Sequence, residues 1–301
     1  MNVPKRHHFV PRWYIDRFVD AEGFVYVVDL KSQKIWRPKP DNVFVRKHYY
    51  KQDWAPEGID PNIFETTLST VIEGPGRLAI EELTKEPPSA TTENIGMAAV
   101  YLVMQRIRVP HRLRIARAIA ELALRDLKAD PRLSALIKKS NLEIKINDTV
   151  RFPYMLLMLG HTNIFQYILG MQWSVYKAPE QSYFITTDDP VSFFNFKIPP
   201  PDEAGIGLAG TMVLFPLSPY HLLELRHPGL NNGMGLTDTI LPNNYDHEYT
   251  SFRAGLRVDK DYVDLVNKTL IELAHKQAIA KSRIQLENLY ASLNMKESAG
   301  K

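Results

Sequence analysis

The residues with the clearest chemical potential fall in three short blocks. Thr187-Asp188-Asp189-Pro190 sets two carboxylates side by side after a β-type run, 183–186. Strand ends are common platforms for catalytic groups. The proline holds the residue before it extended, which fixes where its neighbours point. One carboxylate of such a pair suits a general base or the stabilisation of a cation, and adjacency pushes one of the two pKa values upward. The competing reading is an Asx turn, with Asp188 accepting backbone N–H groups.

The second block is His7-His8. Adjacent imidazoles point to opposite sides of a strand, or about 100° apart on a helix, so they are poorly placed to chelate one ion together. One can face a site and serve proton transfer or a phosphate contact while the other packs. A histidine bonded to backbone is the structural alternative. The third block is Arg106, Arg108, Arg112, Arg114 and Arg117 around Pro110. These do not share one helical face, because the proline breaks the register. They can still line a groove about the kink, where guanidinium forks suit phosphates. The alternative is an exposed helix with local pairs such as Arg117 to Glu121. Trp13, Tyr14, Trp36, Tyr49, Tyr50 and Trp54 interleave with charge; they are candidates for base stacking, although core packing is the commoner role.

Several chemistries are excluded by what the chain lacks. With no cysteine there is no disulfide framework, thiolate zinc site, cysteine nucleophile or zinc-deaminase signature. No Walker A or G-x-G-x-x-G loop supports a nucleotide cofactor, and no H-E-x-x-H or G-x-S-x-G supports a zinc protease or an α/β-hydrolase. The 301 residues, 45% hydrophobic and 24% charged, suffice for a sizeable core. The net charge of +3 conceals an asymmetry. Residues 104–151 hold twelve Lys/Arg against five Asp/Glu, and residues 179–264 reverse this with five against twelve. The first stretch is a candidate polyanion surface and the second a candidate source of catalytic carboxylates. The opening is polar and basic, and the longest apolar runs, such as 154–159, are too short for a bilayer. No membrane partner and a cytoplasmic location are therefore expected.

The elements that must position these groups read as follows. Residues 24–37 form a β hairpin. A helix starts at Asp60-Pro61, is interrupted at Gly74-Pro75-Gly76 and resumes to about Lys85. Thr91-Thr92-Glu93 caps a helix that Pro110 ends. Further helices cover 113–127 and 131–139, and an apolar, helically periodic stretch, 152–169, reads as one buried helix. Short β-type runs at 173–176, 183–186, 212–215 and 221–225 suggest an antiparallel sheet. A final helix spans 259–289, with a frayed tail at 295–301. Residues 195–210 read as a mobile loop. The sum is an α+β fold in a single domain, 1–301: β hairpin, helical middle, antiparallel β region, C-terminal helix.

The opening Lys5-Arg6-His7-His8-Phe9-Val10-Pro11-Arg12-Trp13-Tyr14 resembles the signature of the bacterial family catalogued as domain of unknown function 4238. Members start with His-His-x-x-Pro-x-x-Tyr and continue with a hairpin. The later blocks have counterparts here in Arg108-Val109-Pro110, Thr187-Asp188-Asp189-Pro190-Val191, Pro216-Leu217-Ser218-Pro219 and a late helix bearing Asn267. Asp189 is a departure, since members often carry Asn there. The resemblance implies a setting near bacterial defences against phage.

Together these features lead us to expect an enzyme acting on DNA, a glycosylase that excises modified bases from phage DNA. The chemistry needs neither metal nor cofactor. Asp188 is the expected carboxylate, with Asp189 beside it, His7 or His8 as hydrogen-bond donor and Asn267 as a positioning residue. Arg106 and Arg108 are expected on phosphates, with Arg12, Tyr14, Thr187 and Ser218 as further substrate contacts. Two alternatives stand beside this: a nuclease with Mg²⁺ or Mn²⁺ held by His7, His8, Asp188 and Asp189, and a non-enzymatic sensor of phage protein or nucleic acid.

Overall fold

The structure is a computed structural model that describes residues 6–52, 55–86, 88, 90–141, 143–161, 163–227 and 252–299, the side chains of 161 and 292–299 excepted. Trp54 lies outside the described residues.

In chain order, the first elements are β1 (Arg6–His8), α1 (Arg12–Ile15), β2 (Tyr26–Asp29), β3 (Ile35–Trp36) and β4 (Val45–Lys47). The hairpin forms as expected: β2 and β3 pair antiparallel, and the turn is held by Asp29 Oδ1, which accepts the Ser32 N–H. Next come α2 (Ile63–Thr67), a π-helical stretch (Leu68–Glu73) and α3 (Gly74–Leu83). The expected interruption at Gly74-Pro75-Gly76 is instead a continuation. The proline occupies the first turn of α3, where its missing N–H costs nothing, and the register is absorbed by the π stretch before it. Gly76 is where the run meets the core: a Cβ there would lie 2.6 Å from Tyr101 Cβ.

The helical middle is α4 (Thr92–Arg108), α5 (Leu113–Ala129), α6 (Pro131–Lys139), α7 (Arg151–His161) and α8 (Ile164–Gly170). Thr91 caps α4 by accepting the Asn94 N–H, and Val109 is extended ahead of Pro110, which ends the helix. The single buried helix expected over 152–169 is two helices, with Gly160 and Asn163, both poor helix formers, framing the break. Nor is it wholly buried, since Leu156 is 63% exposed.

The remainder is β5 (Gln172–Lys177), β6 (Thr186–Thr187), β7 (Ser192–Phe194), β8 (Met212–Ser218), β9 (His221–Arg226), β10 (Phe252–Arg257), α9 (Lys260–Leu273), β11 (Gln277–Ala280) and α10 (Arg283–Ala299). One sheet has the order β10-β5-β9-β8-β7, antiparallel except that β10 runs parallel to β5. A second has the order β3-β2-β11-β6, and β1 and β4 pair antiparallel as a separate two-stranded ribbon. Two expectations are corrected. The run 183–186 does not join the first sheet; its end becomes β6, paired with β11. The helix expected over 259–289 is broken by β11, which is sandwiched between β2 and β6. Gln277-Ala-Ile-Ala carries no strand signal strong enough to read alone, and pairing on both edges overrides its local propensity. The helix α10 then continues through Ala299, past the point where fraying was expected. Every residue of β8 is buried, because its two faces feed different cores. Val213, Phe215 and Leu217 pack with α4 and the N-terminal segment, while Leu214 packs with Phe184 and Ile185 ahead of β6 and with α9 and α10.

Tyr14 joins these layers. It is fully buried, stacks on Phe215, and its hydroxyl donates to Pro216 O at 2.7 Å while lying 2.8 Å from Thr186 Oγ1. The reason this tyrosine is held is thus structural cross-linking of the two sheets. Tyr14→Phe is expected to cost about 1–3 kcal/mol, because it leaves a buried carbonyl without its donor. Urea unfolding measures this, and an unchanged midpoint would show that the carbonyl finds another partner.

Candidate functional site

Asp188 stands one residue beyond β6, where the strand leaves the sheet. Its N–H donates to Gln277 O at 3.0 Å, and its Oδ1 accepts the His275 N–H at 3.0 Å. Burial pushes its carboxyl up to about 6, although the backbone N–H groups of Lys276 and His275 draw it back. The Asx-type bonding expected as a purely structural alternative is therefore present, but its donors come from the segment before β11 and not from the next turn of chain.

The carboxyl opens into a cleft of about 240 Å³ whose polar walls are Asn42, Arg46, His111, His275 and Lys276. Four distant pieces of chain build it. Phe9 and 42–46 come from the β1–β4 ribbon, Pro110 and His111 from the turn after α4, Asp188 from the end of β6, and 275–277 from the entry to β11. His111 and His275 lie with ring centroids 5.3 Å apart at 30°. Burial drives the His111 pKa down to about 3, and burial with Arg114 and Lys276 lowers that of His275, so both rings are neutral at pH 7. His111 Nε2 is 3.3 Å from Asp189 Oδ2.

Asp189 is engaged differently from its neighbour. Its Oδ2 accepts from Arg106 Nη1 at 2.8 Å and Arg112 Nη2 at 3.0 Å. Glu203, from the 195–210 segment, pairs with both guanidiniums, at 2.5 and 2.8 Å to Arg112 and closely to Arg106 Nη2. Burial lowers the Arg106 pKa to about 9. The expectation of a mobile loop at 195–210 is met by an irregular segment with firm ties. Asn195 Nδ2 donates to Ala209 O, Thr211 Oγ1 donates to Gly205 O, and Ala204 and Ile206 are buried.

The remaining expected site residues lie elsewhere. His7 is fully buried; its Nδ1 accepts the Tyr50 N–H at 2.8 Å and its Nε2 faces Glu65 at 3.2 Å. His8 is half-buried, with Nε2 3.4 Å from Pro40 O, and burial lowers its pKa. Arg108 turns to the opposite side from Arg106, onto Glu73 and Gln105. Arg12 is exposed and paired with Asp16 and Asp41. Thr187 Oγ1 accepts the Asp189 N–H, and Ser218 Oγ accepts those of Tyr220 and His221. Asn267 accepts the Ile185 N–H and donates to Tyr183 O, tying α9 to the chain leading into β6. Of the aromatics, Tyr14, Tyr49 and Tyr50 are buried. Arg117 pairs with Asp148 and not with Glu121. Among the described residues no three His, Asp or Glu side chains are grouped to hold a metal ion.

The residues that sequence reasoning passed over are His111, His275, Arg46, Lys276 and Glu203. His111 directly follows the Arg108-Val109-Pro110 block and had a usable signal. The others had none. A larger cavity of about 540 Å³ beside β10 holds the Lys177–Glu86 pair and His221, without a buried carboxyl in its wall.

The family model described as a protein of unknown function, DUF4238, matches residues 6–283. The chain belongs to that family. No curated protein and no solved structure matches it. In this DUF4238 chain, the N-terminal, Arg-Val-Pro and Thr-Asp-Asp-Pro blocks do meet at the cleft, through Phe9, Pro110 and Asp188. Among the described residues no helix is long and apolar enough to cross a membrane.

The raised Asp188 pKa has a stability signature. A carboxyl whose folded pKa lies above its ordinary 3.8 favours the fold below that value and loses this contribution as pH rises through about 6. Asp188→Asn removes the penalty, so the variant should gain on wild type between pH 4 and pH 7 by on the order of 2–3 kcal/mol. Urea unfolding at the two pH values reads the difference; parallel stabilities would mean that Asp188 ionises normally.

Proposed function

We propose that this DUF4238 protein hydrolyses N-glycosidic bonds in DNA and releases a base. The observation that carries the reading is Asp188, a buried carboxyl with a pKa of about 6, facing a small cleft with two neutral imidazoles and a cationic rim. A carboxylate so placed suits the oxocarbenium-like sugar of a glycosidic cleavage or the water that attacks it. Asp188, the stronger base, takes a proton from that water, while the neutral His111 and His275 rings offer hydrogen bonds to the water and to the departing base. Arg46 and Lys276 suit backbone phosphates on the rim. The donor role first assigned to His7 or His8 passes to His111 and His275, because both His7 ring nitrogens are engaged in the interior. A cleft of about 240 Å³ is below the roughly 300–1,000 Å³ of sites for drug-sized ligands, and suits one extruded base. The phage-defence setting and the preference for modified bases rest on the family resemblance alone.

The test is incubation of the purified protein with plain and base-modified phage DNA, with and without chelator, followed by an assay for alkali-labile abasic sites. Abasic sites insensitive to chelator are expected. Asp188→Asn should lower their rate by about 10²–10⁴, and His111→Gln should lower it too. The wild-type rate should fall as pH drops below about 6, as Asp188 takes up its proton. Direct strand breaks lost on chelation would turn the assignment toward a metal nuclease, and binding without any change in the DNA would make the protein a sensor.

A further inference from the structure

We infer that Arg106 and Arg112 form a phosphate-binding site beside the cleft, and that the Glu203 carboxylate occupies it in the absence of ligand. The inference takes its nucleic-acid ligand from the function proposed above, but the site itself stands on its own geometry.

Glu203 meets Arg112 with both oxygens, at 2.5 Å from Nη1 and 2.8 Å from Nη2, and also meets Arg106 Nη2. This is the fork that guanidinium offers equally to a carboxylate or to two oxygens of a phosphate. The two arginine side chains are 5% and 8% exposed, whereas Glu203 is 31% exposed. The positive groups are therefore built into the fold and the negative group approaches from the solvent side. Arg112 Nε is buried without a hydrogen-bond partner among the described residues, as is Asp189 Oδ1. Turning Glu203 away would uncover Arg112 Nη1 and Arg106 Nη2, which gives two charged donors for one anion. Asp189 keeps Arg112 Nη2 and Arg106 Nη1, so it holds the two guanidiniums in place and neutralises only part of their charge. Arg106 is further fixed by donation to Val191 O and by packing over the Phe193 ring.

The exchange requires little movement. Ala204 and Ile206, just after Glu203 in the chain, are buried, and His227 Nε2 lies 2.8 Å from Ile206 O. The backbone stays anchored while the half-exposed side chain rotates outward. The site is joined to the cleft through Asp189, whose Oδ2 meets Arg106, Arg112 and His111. A phosphate bound there lies one carboxylate away from the catalytic imidazole.

The experiment titrates inorganic phosphate, and separately a thymidine oligonucleotide, into wild type, Glu203→Gln and, as a control for overall charge, Glu180→Gln at an exposed position. Removing a competitor that fills the site most of the time raises apparent affinity by the inverse of the free fraction, here about tenfold. Glu203→Gln is expected to bind phosphate tighter by that factor, Glu180→Gln to match wild type, and Arg112→Lys added to Glu203→Gln to lose the gain. No gain, or an equal gain in Glu180→Gln, overturns the inference. A gain for inorganic phosphate without one for the oligonucleotide keeps the site and makes its ligand a free phosphate ester. Should Glu203→Gln not fold, the Arg112 Nε–H resonance of wild type decides: a shift with phosphate supports the site, and the same shift with chloride at matched ionic strength overturns it. A phosphate gain in a protein that forms no abasic sites would sink the glycosidase reading alone.

Discussion

Two adjacent carboxylates, both buried, are the constraint around which this molecule is arranged. Placing one charge away from water is costly, and placing two of the same sign side by side is more so. The fold answers each differently. Asp189 receives two guanidiniums and an imidazole on one oxygen. Asp188 receives backbone N–H groups, and burial still lifts its pKa to about 6. The pair is thereby divided into a group held among counter-charges and a group poised near neutrality, a division that active sites commonly use to separate a supporting residue from a reacting one.

Much of the architecture follows from supplying those partners. The last turn of α4 is buried nearly all round, which would be improbable for Arg106 and Arg108 unless each had a carboxylate to meet. They diverge to Asp189 and Glu73 accordingly. Pro110 ends the helix at the point where His111 and Arg112 can turn back toward Asp189. On the other side, β11 must reach the centre of its sheet so that the segment before it can offer N–H groups to Asp188.

The sequence made the fold class legible, because helix periodicity, caps and prolines are local signals. Thr91, Pro110 and Pro131 each act where they stand. It hid β11, whose Gln-Ala-Ile-Ala is strand only by virtue of partners on both edges, and it merged α7 with α8. For the site, Asp188 and Asp189 stood out as paired carboxylates, and the structure places the first in the cleft wall and the second directly behind it. His111 was legible in retrospect from its position after a recognisable block. His275, Lys276 and Glu203 were not, since nothing in their neighbours distinguishes a histidine beside a cleft from one on an ordinary surface. His7-His8 shows the converse: a conspicuous pair whose first member is committed to Tyr50 and Glu65 in the interior.

The cleft takes its walls from residues near positions 9, 46, 111, 188 and 276. No short stretch of the chain carries the site, and no half of it does either. A βα unit or a single loop can be copied into another protein and bring its chemistry along; this arrangement has no such portable piece. Whatever the site does depends on the whole chain folding together, and the family match likewise runs along most of its length, residues 6–283.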